Sequence, residues 1–166
     1  MLIKNTIRFF FLILFQVLIL NNIHLGGYIN PYFYIYFILL LPFATPSWAV
    51  LLASFFLGLG VDIFTNTPGL NAAACVLMGF MRPFVIRMIS SGGEDQIGLE
   101  PSLKNQGIKW FLYYSIILIV IHHTALFYIE IFRFSEFFRT FFRVLLSSAF
   151  TLIIVMISEY FFYPRK

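Results

Sequence analysis

Apolar runs of membrane-crossing length recur along this chain from residue 9 to residue 163, and a single hydrophilic connection of any length, residues 90–107, interrupts them. That pattern constrains the fold more than any motif does, because each run must be shielded from water and the chain offers little polar surface to do it. Charged residues make up 11% of the sequence, against roughly 25% in soluble domains. Hydrophobic residues reach 61%, with 20% aromatic. The expected class is therefore an all-α integral membrane protein forming one transmembrane domain over residues 1–166.

A spanning helix needs about 20 residues, within a range of about 17 to 25. That ruler predicts six spans, at residues 7–22, 32–43, 47–64, 68–89, 108–132 and 138–163. The second is short, and is expected to cross by extending through Pro42 toward Trp48, to tilt less than the others, or to be a re-entrant piece covered by protein. Lys4 and Arg8 before an apolar run have the order of a secretory signal, but Asn21, Asn22, Ile23 and His24 follow where small cleavage-site residues would stand. An uncleaved first helix is the expectation.

With six crossings both ends share a side. Placing them in the cytoplasm puts Lys4, Arg8, Arg82, Arg87, Lys104, Lys109, Arg165 and Lys166 on or toward that side and leaves Arg133, Arg139 and Arg143 outside. Dispersed over several helix ends, the net charge of +4 speaks for orientation and for membrane lipids, and against nucleic acid. Cys75 is the only cysteine, which excludes an intramolecular disulfide.

Asp62 is the residue that hydropathy does not explain. It falls near the outer end of the third span, where a negative charge opposes the helix dipole. The fourth helix gives it a reason: with Thr67 as a cap and Pro68 in the first helical position, that helix begins beside Asp62 with unpaired N–H groups. Asp62 is expected to brace the hairpin, with a partner-binding carboxylate as the next reading and transport or catalysis as the last. Ala49 and Ala53, Ser54 and Gly58, and Cys75 and Gly79 have four-residue spacings that let the two helices approach closely.

Arg82 and Glu159 both fall within about two turns of the cytoplasmic edge, so Arg82 is expected either simply to snorkel to the interface or, as the sharper hypothesis, to form an ion pair with Glu159. On the fifth span His123, Phe127 and Glu130 share a stripe, with His122 pointing elsewhere. One helix supplies too few ligands for a metal, so no metal or cofactor is expected; interhelical hydrogen bonds suit the histidines, and Glu130 is expected to pair with Arg139 or Arg143. No phosphate loop, nucleophile elbow or paired CxxC occurs, so an enzyme is not expected.

The stretch "FFLGLGVDIFTNTPGLNAAACVLMGFMRPFV" resembles the signature of the rod shape-determining protein MreD family. Gly58, Leu59, Asp62, Pro68, Gly69 and Ala72 to Ala74 carry the match, and "RPF" at Arg82 to Phe84 with "HH" at His122 and His123 is similar to a Bacteroidetes-like branch. Pro68 is followed directly by Gly69, where many members place Leu first. The resemblance implies a non-catalytic component of the bacterial elongation machinery in the cytoplasmic (inner) membrane. Its partners would be MreC, MreB, RodA and an elongation-specific penicillin-binding transpeptidase. It also implies a six-helix fold similar to the substrate-binding component of energy-coupling-factor transporters, which supplies the rival expectation of a vitamin-type uptake subunit. Short outer loops with few polar residues weaken that rival.

Overall fold

The structure is a computed structural model that describes residues 2–23, 30–90, 99–131 and 137–161. Those residues form helices and their connections and no strand. In chain order the helices are α1 (Leu2–Leu18), α2 (Tyr36–Leu39), α3 (Ser47–Thr65), α4 (Leu70–Ile89), α5 (Leu103–Gln106), α6 (Ile108–Ile131) and α7 (Phe137–Phe161). Short 3-10 turns at Leu20–Asn22 and Phe33–Ile35 extend α1 and precede α2. Residue 132 at the end of the fifth expected span, residues 162–163 at the end of the sixth, and residues 91–98 of the expected 90–107 loop lie outside the described residues.

Among the described residues five helices are long and apolar enough to cross a membrane: Ile3–Asn22, Ser47–Thr65, Leu70–Ile89, Ile108–Ile131 and Phe137–Phe161. The second expected span departs from the six-helix reading. Residues 32–43 contain a 3-10 turn and one turn of α-helix, and Pro42 closes the piece without helical continuation to Trp48. Yet this segment is the most deeply enclosed part of the fold, with every residue from Phe33 to Leu41 buried.

Its route can be followed along α7. The Asn30 N–H donates to Ser147 Oγ at 3.1 Å, the Tyr32 N–H to Thr151 Oγ1 at 3.0 Å, and the Tyr36 hydroxyl to Glu159 Oε1 at 2.5 Å. From Ser147 to Glu159 the helix advances about 18 Å at about 1.5 Å per residue. The segment then reaches the end of the bundle where the Phe43 N–H donates to Leu99 O at 3.1 Å. It therefore carries the chain back through the interior, so that α1 and α3 run in the same direction. Lys4 and Arg8 at the start of α1 meet Glu100 beyond the end of α4, at 3.0 and 3.1 Å. Those contacts place the start of α1, the end of α4 and the Glu159 end of α7 at one end of the bundle.

α3 and α4 form a hairpin whose tightness comes from missing side chains. A Cβ on Gly58 would stand 2.5 Å from the Ala72 Cα and N, backbone against backbone, and one on Gly79 would stand 2.6 Å from Ser54 Oγ. α4 continues through Pro83, which leaves Gly79 O without the usual N–H four residues on. α4 packs next on α6, and α6 on α7.

Candidate functional site

The turn between α3 and α4 is built around Asp62. Its own C=O accepts the N–H of Asn66, which closes α3 in the left-handed region at φ 54°, a conformation that Asn tolerates better than most residues. α4 opens after Gly69, itself at φ 86°. Leu70 is the first helical residue, so Pro68 belongs to the turn and not to the first helical position, and Thr67 does not cap the helix.

Asp62 takes the place of the missing cap. Its Oδ1 accepts the Asn71 N–H at 3.0 Å and its Oδ2 the Ala72 N–H at 2.9 Å, two of the amides that a helix start leaves open. Thr67 Oγ1 and Asn71 Nδ2 also donate to Oδ1, at 2.8 and 3.0 Å. The carboxylate is 3% exposed and sits where the α4 dipole is positive.

A buried polar chain leads inward from this point. Because Asn71 Nδ2 points at Asp62 and Thr67, its Oδ1 is the acceptor for the Tyr34 hydroxyl at 2.8 Å. The Tyr34 oxygen in turn accepts from His122 Nε2 at 3.0 Å, with Cys75 Sγ 3.8 Å from the same nitrogen. His123 faces α7: its Nδ1 donates to Ile119 O at 2.9 Å, which leaves Nε2 to accept from Thr151 Oγ1 at 3.1 Å. His122 is expected to point elsewhere than His123; the two have separate hydrogen-bond partners, while their buried rings lie 5.3 Å apart and both meet the Tyr32 ring.

The buried segment is held by side chains from four helices. Gln16 of α1 accepts the N–H groups of Phe33 and Tyr34 at 2.8 and 3.3 Å and donates to Pro31 O at 3.0 Å. Ser147 and Thr151 of α7 supply acceptors, as above. At the far end Arg82 of α4 donates through Nη2 to Leu41 O and through Nε to the Tyr114 hydroxyl at 2.9 Å, and Tyr114 of α6 donates to Leu39 O at 3.0 Å. Backbone outside a helix survives at membrane depth only when protein satisfies it in this way.

Two expectations about charges separate here. Arg82 does not pair with Glu159, and it does not snorkel, being 3% exposed: it caps the carbonyl end of the buried segment. Glu159 instead accepts from Tyr36 and from the Leu103 N–H at 2.7 Å. The physical reason is that the interior segment lies where the two side chains would have met. Glu130 does join Arg143, at 3.0 Å, and that guanidinium also lies 4.2 Å over the Phe127 ring.

Gln16, Tyr34, Asn71 and Tyr114 had no place in the sequence reading. Gln16 was detectable as a lone amide in an apolar run, and Asn71 as a second polar residue directly behind the Asp62 turn. Among the described residues no group of three or more His, Cys, Asp or Glu gathers as metal ligands would. The chemistry of the site is hydrogen bonding that fixes backbone. The class this defines is all-helical in the described residues, with five helices there able to cross a membrane. No known protein family, no curated protein and no solved structure matches the chain.

Proposed function

We propose that the chain is a non-catalytic scaffold of the bacterial rod complex, a member of the MreD family held in the cytoplasmic membrane with both ends in the cytoplasm. It would keep MreC, MreB, RodA and a penicillin-binding transpeptidase in fixed relative positions while wall is made outside. The observation that carries the reading is the use made of the interior. Residues 33–41 fill the centre of the bundle with their own side chains, and Gln16, Asn71, Arg82 and Tyr114 around them bond to backbone and to other side chains, while His122 Nδ1, Ser54 Oγ, Ser115 Oγ and Ser148 Oγ have no hydrogen-bond partner among the described residues. An uptake subunit needs convergent polar groups turned toward a ligand. A scaffold needs rigid helices, and polar groups committed to backbone provide them.

The residues of the resemblance support the same reading. Asp62, Gly58 and Ala72 meet at one point of the hairpin. Counted with the interior segment, the five long helices would make six crossings, the number expected of the family and of the related transporter fold. The test is purification of the tagged chain from its host in mild detergent, with mass spectrometry of what accompanies it. MreC and wall-synthesis enzymes are expected. An integral coupling subunit with ATPases would replace the scaffold by the uptake reading.

A further inference from the structure

The buried segment is tied at both ends of the bundle, and the ties are single hydrogen bonds on one short piece of chain. At one end the connection after α4 lies against the segment and its neighbours: Leu99 O accepts from Phe43, Glu100 holds Lys4 and Arg8, and the Leu103 N–H shares Glu159 with Tyr36. At the other end Tyr34 holds Asn71, which holds Asp62 and so the α3–α4 turn. Between Tyr34 and Tyr36 the path is covalent, and the Tyr36 N–H closes back on Phe33 O and Tyr34 O. The two tyrosines therefore share one hydrogen-bonded turn.

We infer that this turn is a mechanical link across the bundle: displacement of the connection at residues 99–106 shifts Tyr36, and with it Tyr34 and the Asn71–Asp62 start of α4 at the opposite end. A 3-10 turn running into a single α-turn is a suitable joint, since 3-10 geometry inside helical structure holds its hydrogen bonds less well and commonly marks a hinge. A continuous helix would resist the same displacement along its whole length. The segment's backbone is held mainly by side chains, namely Gln16, Arg82, Tyr114 and Thr151. This link depends on the chain's own residues, and it stands whichever partners the protein has.

The experiment uses the full chain in lipid nanodiscs and reads hydrogen exchange by mass spectrometry. Tyr36→Phe removes the hydroxyl that reaches Glu159 and keeps the ring. It is expected to raise exchange about tenfold, the scale of one lost hydrogen bond to a charged group, both in residues 99–106 and in residues 66–72. The end of α6 at residues 126–131 shares the second location's end of the bundle and is expected to stay unchanged. In the reverse direction Asp62→Asn is expected to speed exchange at residues 99–106, because coupling between two sites is reciprocal. Adding Tyr34→Phe is expected to abolish both cross effects. A response confined to the mutated end overturns the inference, and so does a uniform rise that includes residues 126–131. Should Tyr36→Phe fail to fold, Asp62→Asn with and without Tyr34→Phe decides the question alone.

Discussion

Asp62 serves α4 from another helix, an arrangement with a measurable signature. Replacing it by Asn keeps one acceptor and the shape but removes the charge that faces two amides and a helix start. Hydrogen bonds to charged groups contribute about 1.5–3 kcal/mol each, so Asp62→Asn is expected to lower stability by about 1–3 kcal/mol and to reduce the folded protein in membranes. Thermal unfolding in detergent and quantitative blotting measure the two effects. Normal abundance with lost partner association would make Asp62 an interface residue, and no change in either would remove both roles. Gln16 is the matching case on α1. Gln16→Leu leaves the Phe33 and Tyr34 N–H groups and the Pro31 carbonyl without their partner. A loss of about 2 kcal/mol or more is expected, seen as a lower unfolding temperature; an unchanged value would mean that the segment draws little from Gln16.

At the scale of elements, the α3–α4 hairpin and the interior segment differ in how far the sequence announced them. The hairpin was legible because its causes are local. Four-residue spacing of Ser54 and Gly58, and of Cys75 and Gly79, gives one small face per helix, and a turn with Asn66, Pro68 and Gly69 joins them. The interior segment was legible only as an anomaly of length, an apolar run too short to cross as a helix. Its partners lie far away in the chain on α1, α4, α6 and α7, and single-residue signals such as Gln16 carry no direction. The same distance explains the failed Arg82–Glu159 pair: depth along the helices put the two at one level, while the chain that lies between them was not visible from spacing. The glycines supply a graded test. Gly58→Ala drives a Cβ into the Ala72 backbone, and is expected to cost about 1–3 kcal/mol, the range for overpacking. Gly60→Ala meets the Ile13 Cδ1 at 2.8 Å, the far end of a side chain that can turn away, and is expected to be nearly neutral. Equal unfolding temperatures for the two variants would show that the helices separate freely.

For the whole molecule, the direction of every helix follows from which ends touch. Five spanning helices joined by a connection that stayed on one surface would put Lys4 and Lys104 on opposite sides of the membrane. The structure instead brings Lys4 to within 3.0 Å of Glu100, beside the start of α5, because the interior segment returns the chain before α3 begins. The return costs backbone hydrogen bonds of its own, and the side chains of Gln16, Arg82, Tyr114, Ser147 and Thr151 replace them. A labelling experiment separates the two topologies without removing the native thiol, since Cys75 is fully buried. Single cysteines at Lys4, Lys104 and Pro68, all exposed positions, are treated with a membrane-impermeant maleimide in intact cells and in inverted vesicles. Lys4→Cys and Lys104→Cys are expected to label from the same side and Pro68→Cys from the other. With the cationic ends inside, as the distribution of Lys and Arg implies, the first two label only in inverted vesicles. Labelling of Lys4→Cys and Lys104→Cys from opposite sides would mean that the segment at residues 30–43 does not cross, and the link between the two ends of the bundle would fall with it.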